Sequence, residues 1–538
     1  MKNKIPLYPF LLALYPILTL YSRNPGEIPG ATVIRPAVMA LLVTAFIIGL
    51  LVIFFKNKYK AYFIAALIVF YFSSSGHVYR ILKGYLFPDQ KIQLHPVLIL
   101  LEISLIILLA NKNVWEKYFP QKRIMTLTGY VNIFAIVLLI YPALVIFEFA
   151  INSGWNLIAS RNEFIPTDNY QPKLTAKVKP DIYLLVLDGY GREDVLAELY
   201  STDNSPFIGE LKERGFFVAE NSHSNYLQTP LSFSSFLNFS YINTATGIMG
   251  TKSTNRLPLF DLIEYSRAIV LLKELGYKLI TTESGFQFTE FEDSDTILSP
   301  FSTSLNTFER FFLSTTALDA FSEINEPFSH ILQDKLAIPS YSTHRANVLF
   351  SFEVLRNSIP KMESPKFVIV HIVSPHPPFV LNQSGNPIVP NRPYMPGDGE
   401  AFGGNSKEYQ RQYAEQVGFA NGEVLAAIDS ILANSNTPPI IILQGDHGPG
   451  SLLRRDNINN TCLWERSSIL NAYYLPGGNS STLYPEITPV NTFRVIFNLY
   501  FGTAYEMLPD KTYFSPQAYP YDFADITALV NNNCTNNP

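Results

Sequence analysis

Between Met1 and Ile151 the chain carries five apolar stretches, approximately Ile5 to Tyr21, Val33 to Phe55, Ala61 to Val78, His95 to Ala110 and Met125 to Ile151. A helix needs roughly 17 to 25 predominantly apolar residues to cross the hydrocarbon core of a bilayer. In lipid a lone segment can satisfy its backbone only as a helix. The first 151 residues therefore read as a bundle of about five transmembrane helices, of which the first and fourth are the shortest. Lys2 and Lys4 ahead of the first run also suit a secretory signal peptide, but Tyr21-Ser22-Arg23-Asn24-Pro25 offers no small-residue cleavage site. The first stretch is expected to be an uncleaved span.

Lys and Arg near span ends set orientation. With five spans, Lys2 and Lys4, then Lys56, Lys58 and Lys60, then Lys112, Lys117, Lys122 and Arg123 share one side; Arg23, Arg35, Arg80, Lys83 and Lys91 fall on the other. The bias is modest and predicts the N-terminus inside, with everything after Ile151 outside the cytoplasm. A net charge of -5 over 538 residues argues against nucleic acid as a partner. The two cysteines, Cys462 and Cys534, lie in the exported part, where an oxidising compartment permits a disulfide. Spacing leaves open whether they pair.

Residues 152–179 are polar and proline-containing and read as a linker. From Pro180 strands and helices alternate. Ile182 to Leu187 is a short apolar strand, Ser205 to Gly215 a helix with Ser205 as its cap, and Phe216 to Ala219 a strand. Arg267 to Leu275 is a helix, Tyr277 to Thr281 a strand, Lys366 to Val373 a strand, Tyr413 to Leu432 a helix and Ile440 to Leu443 a strand. This alternation over 180–530 means a three-layer α/β domain with a mainly parallel sheet between helices. Phe301 to Leu349 has no clear place in it. The Pro- and Gly-rich stretch Asn382 to Asn405 reads as a loop over the site, and 531–538 as a disordered tail.

Four stretches carry chemistry. Asp188 ends the first strand, where α/β sheets bind ligands, and suits either a metal ligand or a turn cap. Asp446-His447-Gly448 ends the strand 440–443; an acid and an imidazole presented together suit a divalent ion that takes O and N ligands, Zn²⁺ or Mn²⁺ ahead of Mg²⁺ or Ca²⁺. Thr229, before Pro230, is either only a helix N-cap or a nucleophile activated by a metal at a helix end that also cradles phosphate. In Phe367 to Phe379, His371 reads as a core histidine. His376, between prolines, reads as rigidly held, exposed and able to donate to a substrate or leaving-group oxygen.

In this order and spacing the four stretches resemble the sulfatase-like branch of the alkaline phosphatase superfamily, in particular its membrane-anchored phosphoethanolamine and phosphoglycerol (lipoteichoic acid synthase-like) transferases. The resemblance covers about residues 180 to 505, and spans followed by an exported catalytic domain are also that layout. It implies that Asp188, Asp446 and His447 bind one divalent metal, that Thr229 is nucleophile and fourth ligand, and that His376 contacts substrate. Ser232 stands as the alternative nucleophile or a substrate contact. Gln228-Thr229-Pro230-Leu231-Ser232 has neither the Cys nor the Arg of a sulfatase motif, and Asp188 is a lone acid. These departures move the expectation from sulfate-ester hydrolysis to transfer of a phospho-alcohol head group through a phospho-threonine. The implied donor is a phospholipid, the acceptor a glycan or lipid hydroxyl, and the setting a bacterial plasma membrane with the catalytic domain outside. A sulfatase-like hydrolase and an inactive membrane-anchored binding protein are the alternatives.

Overall fold

The computed structural model describes residues 5–55, 57–82, 94–154, 164, 174, 178–322, 333–390, 392, 394–477, 479–532 and 534. The chain divides into two compact units. One comprises 1–155, 301–340 and 390–393, the other 156–300, 341–389 and 394–538.

The first unit is built on α1 (Tyr8–Arg23), α2 (Ile34–Phe55), α3 (Lys58–Ile81), α4 (Leu94–Ala110), α5 (Lys112–Tyr118) and α6 (Gln121–Gly154). Apart from Ile5 to Leu7, which precede α1, all five apolar stretches are helical wherever they are described. Among the described residues three segments, Gly30–Phe55, Lys58–Ile81 and Lys122–Asn152, are long and apolar enough to cross a membrane. The described parts of α1 and α4, 16 and 17 residues, stand at the lower limit for the expected five spans, rising about 24 and 26 Å against a core of ~30 Å. The stretch that sequence left unplaced splits: Phe301–Ser340 belongs to this unit. There helix Thr307–Leu313 is closed by an Asn306/Glu309 capping box. Phe308 and Phe312 pack against Ile17 and Val33, and Arg35 forms an ion pair with Glu309.

The second unit is organised around a seven-stranded sheet, order β2-β7-β6-β1-β5-β3-β4, with β1 (Ile182–Leu187) at its centre. Strands β3 (Lys278–Thr282), β4 (Thr296–Leu298), β5 (Lys366–Ile372) and β6 (Ile440–Gly445) run parallel to β1 or to its parallel neighbours. Strands β2 (Phe217–Val218) and β7 (Asn471–Tyr474) close one edge antiparallel. Outside this sheet, β8 (Tyr513–Phe514) and β9 (Ala524–Asp525) form a separate antiparallel pair.

Every residue of β1 is buried, as a parallel strand covered on both faces requires. Alternate side chains go to opposite layers. Tyr183, Leu185 and Leu187 meet apolar residues of α7 (Glu193–Tyr200), α8 (Ser205–Glu213), α11 (Tyr341–Asn357) and α12 (Ser406–Asn434). Ile182, Leu184 and Val186 meet α9 (Thr229–Asn238) and α10 (Arg267–Glu274). At about 1.5–3 kcal/mol for each fully buried aliphatic side chain, β1 is the least dispensable strand.

Sequence misplaces some boundaries. Asn204, not Ser205, is the cap residue of α8, and α12 begins at Ser406, ahead of Tyr413. Of the expected linker 152–179, residues 152–154 continue α6, and Phe164 is buried against Tyr226 and Tyr521. Most of the remainder lies outside the described residues. In the expected disordered tail, Cys534 is joined to Cys462 by a disulfide, so that position is tethered; 533 and 535–538 lie outside the described residues.

Candidate functional site

Register assembles the site. In the ladder Leu187 of β1 stands beside Ile372 of β5 and Gly445 of β6. The next residue of β1 is Asp188 and the next of β6 is Asp446, so the two acids leave neighbouring strands at the same level, about 4.8 Å of interstrand spacing apart. Gly189 follows at φ +71°, a left-handed conformation that favours glycine. Its N–H donates to Asp446 Oδ1 at 3.0 Å. Gly448 is fixed differently, because a Cβ there would lie 2.1 Å from the Glu465 carbonyl oxygen.

Asp188, Asp446 and His447 are all buried and offer ligand atoms that lie within 4.8 Å of one another. His447 Nε2 is 3.5 Å from Asp188 Oδ1 and 3.4 Å from Asp446 Oδ2, while its Nδ1 is 2.9 Å from the Gly448 carbonyl oxygen. Asp188 Oδ1 and Asp446 Oδ2 have no hydrogen-bond partner among the described residues. Two such carboxylate oxygens beside an imidazole nitrogen are costly in a protein interior and fit a divalent cation. Burial pushes the Asp188 carboxyl up, but the neighbouring imidazoles of His376, His371 and His447 outweigh it and hold it well below the usual carboxylate range. Burial, reinforced by the Arg466 charge, pushes His447 below the ordinary imidazole range, toward the neutral form that a metal takes.

Thr229 is the first residue of α9, not its cap; Gln228 holds the cap position and makes no side-chain capping bond. The Thr229 hydroxyl is turned to His447 Nε2 at 3.2 Å. Ser232, one turn on, donates to the Tyr226 carbonyl at 2.8 Å, an internal bond of the segment that leads into the helix. The structure therefore brings Thr229 to the acid cluster, and the hydroxyl of Ser232 is engaged elsewhere.

The expected exposure of His376 does not hold, since the residue is only 8% exposed. Its N–H donates to the Asp188 carbonyl at 3.0 Å, its Nδ1 lies 2.5 Å from the Pro377 carbonyl oxygen, and Asp398 approaches Nε2 at 3.7 Å. Asp398 comes from the Pro- and Gly-rich loop, so that loop reaches the site and buries the imidazole. The remaining turn of the ring centres His376 6.2 Å from His447.

Three functional neighbours escaped the sequence reading. Arg466, buried on α13 (Leu463–Ser467), donates from Nη1 to Asp398 Oδ2 at 2.5 Å and places Nη2 3.0 Å from His447 Nε2. Asp398 also accepts from the Tyr409 hydroxyl at 2.8 Å. Burial raises the Asp398 pKa, but Arg466, His376, His447 and the Tyr409 bond more than reverse this and hold it far below the usual range. An acid between Gly397 and Gly399 was the only sequence signal for Asp398; Arg466 had none. His371, read as a core histidine, is buried but puts Nε2 3.2 Å from Asp188 Oδ2, with Nδ1 2.9 Å from Thr289 Oγ1. Asp295 accepts from Lys278 and the Leu279 N–H, and the N–H of Asp293 donates to Glu264.

Fold and site define a class: apolar helices of membrane length, then a mainly parallel α/β unit with a buried Asp-Asp-His cluster facing a helix-terminal Thr. No family model and no curated protein matches the chain. Solved structures similar to it come from the group its motifs resemble. They include the C-terminal periplasmic domain of EcEptC from Escherichia coli in complex with Zn, at 13% identity over 66% of this chain and 96% of that one, TM-score 0.41. They also include the integral membrane lipooligosaccharide phosphoethanolamine transferase A (EptA) from Neisseria meningitidis, at 11% identity over 92% and 95%, TM-score 0.35. A protein in the alkaline phosphatase superfamily from Vibrio parahaemolyticus matches at 11% identity over 70% and 84%, TM-score 0.37.

Proposed function

We propose that the chain transfers a phospho-alcohol head group, phosphoethanolamine or phosphoglycerol, from a phospholipid to a glycan or lipid hydroxyl through a phospho-threonine at Thr229. The observation that carries this is the Thr229 hydroxyl, 3.2 Å from His447 Nε2 and at the first turn of a helix, beside two buried carboxylates with orphaned oxygens. Asp188, Asp446, His447 and Thr229 would hold one divalent ion, Zn²⁺ or Mn²⁺ in preference to Mg²⁺ or Ca²⁺. A bound ion lowers the pKa of a hydroxyl and offsets phosphate charge.

The chain's own residues do the rest. Thr229 Oγ1 forms a bond to phosphorus as the bond to the lipid alcohol oxygen breaks, and the hydroxyl proton leaves to solvent. The positive end of the α9 dipole favours the phosphate charge. His376 donates a proton to the departing alkoxide, so a diacylglycerol-like alcohol is released. The incoming hydroxyl then gives its proton back to His376 as its oxygen attacks phosphorus and the Thr229–phosphate bond breaks, with Thr229 Oγ1 regaining from solvent the proton it gave up. Arg466 pins Asp398, which in turn faces His376, and so fixes the acid that this step needs. The membrane-length helices suit a lipid donor, with residues 1–151 in a bacterial plasma membrane and the second unit, 156–300, 341–389 and 394–538, as the catalytic domain on its outer side.

The test is mass spectrometry of the full chain after incubation with mixed phospholipid vesicles. The expected result is an added phospho-head-group mass on the Thr229 peptide, lost in Thr229→Ala and kept in Ser232→Ala. Full turnover by Thr229→Ala would refute the mechanism. If the mass appears but leaves at the same rate with and without added acceptor, the chain is a hydrolase.

A further inference from the structure

The carboxyl ends of β1 and β6 supply the acid cluster, but buried polar atoms without partners continue beyond it. Helix α11 leads into β5 and carries His344 and Asn347, three residues apart and hence on one face. Both are more than nine-tenths buried, at 6% and 8% exposure. Neither His344 Nε2 nor Asn347 Oδ1 has a hydrogen-bond partner among the described residues. The hydroxyl of Ser374, on the short link from β5 to His376, is likewise buried and unpartnered. None of these residues belongs to the acid cluster or to the transfer step above.

His344 is tied to the site through the backbone. Its ring is hydrogen-bonded to the main chain of Val373, three residues before His376, and it feels the charges of both His376 and Asp188. The Tyr394 ring is centred 6.3 Å from the His344 ring. Burial, with the nearby His376 charge, pushes the His344 pKa down to about 3. A neutral imidazole that gives its N–H to a carbonyl offers a lone pair on its other nitrogen. Asn347 Oδ1 offers a second lone pair one turn along, and Ser374 a hydroxyl that can turn either way. Leaving such groups unpaired costs about 1–3 kcal/mol each, so an arrangement of this kind calls for a partner that donates.

We propose that His344 and Asn347 are specificity-determining residues that accept hydrogen bonds from the alcohol portion of the transferred head group. The chemistry they select is an O–H or N–H donor, as in a glycerol or a primary ammonium; a trimethylammonium head group has no donor and leaves both acceptors unpaired. This rests on the transfer reading above and deepens it.

A site built to bond a donor rejects an analogue lacking it by as much as roughly 10⁴–10⁵-fold. The experiment measures kcat/KM for release of diacylglycerol by the full chain in micelles from three lipids with identical acyl chains and glycerol, ethanolamine or choline head groups. The wild type is expected to favour the first two over choline by at least about 100-fold. His344→Phe keeps a ring but no acceptor and is expected to collapse that ratio toward one; His344→Gln, which restores an acceptor oxygen, recovers part of it. Asn347→Leu serves as an independent second variant should His344→Phe fold poorly. A purely structural role lowers all three lipids together, so an unchanged ratio in both His344→Phe and Asn347→Leu overturns the proposal while leaving transfer intact. A wild type that uses choline as well as the other two also overturns it. A wild type that acts on none of the lipids and forms no phospho-Thr229 defeats the transfer reading itself and this inference with it.

Discussion

Arg466→Met tests the part of the site that sequence could not reveal. The guanidinium is buried and charge-paired with Asp398, whose other oxygen accepts from Tyr409. Removing one partner of a buried pair leaves the other as an uncompensated charge, a loss of about 3–5 kcal/mol. At the ~2 °C per kcal/mol that suits a large domain, unfolding should come roughly 6–10 °C earlier at neutral pH. The pH dependence sharpens the test. In the wild type the folded pKa of Asp398 is depressed. Its stabilisation is therefore present above the unfolded value, about 3.9, and is lost as pH falls through the folded value. Without Arg466 only His376, His447 and the Tyr409 bond oppose burial, and the variant is expected to have a folded pKa above the unfolded one. The carboxyl then favours the folded state below about pH 4 and loses that contribution as pH rises through its new, higher value. The gap between wild type and variant should accordingly widen from pH 4 to 7, and Asp398→Asn should restore much of it in the double variant. The assay is thermal unfolding of the full chain in detergent, followed by the fluorescence of buried Trp464 two residues away. A gap that is constant over this range, or a double variant no more stable than Arg466→Met, would show that the pair is not a buried charge couple.

Two further outcomes follow from other contacts. His371 supports Asp188 Oδ2 at 3.2 Å and is itself held by Thr289. His371→Ala should weaken divalent-metal affinity by about 10–100-fold, the usual effect of losing a group that orients a ligand; chelator competition that finds unchanged affinity refutes this role. The Cys462–Cys534 disulfide closes a separation of 72 residues. Replacing both with Ser should destabilise the second unit by up to about 4 kcal/mol on the chain-entropy account, read as a lower unfolding temperature that reductant no longer changes.

The sequence by itself determined what depends on local composition and period. Long apolar runs must become helices in lipid, and an apolar run such as Ile182 to Leu187, bounded by Pro180 and Gly189, must become a buried strand. Strand-end acids at 188 and 446 and a Thr-Pro at 229–230 were legible because turns and helix starts restrict which residues stand there. Membrane-length helices leading into a mainly parallel α/β unit followed from these features alone. Register, by contrast, is a relation between distant segments. Only the pairing of Leu187 with Ile372 and Gly445 brings Asp188 beside Asp446, and only the return of 394–405 and 463–467 places Asp398 and Arg466 against His376 and His447. His344 and Asn347 lie in the stretch Phe301 to Leu349 that the sequence left unplaced. Burial without a partner is a property of what surrounds a side chain, and no spacing along one chain encodes it.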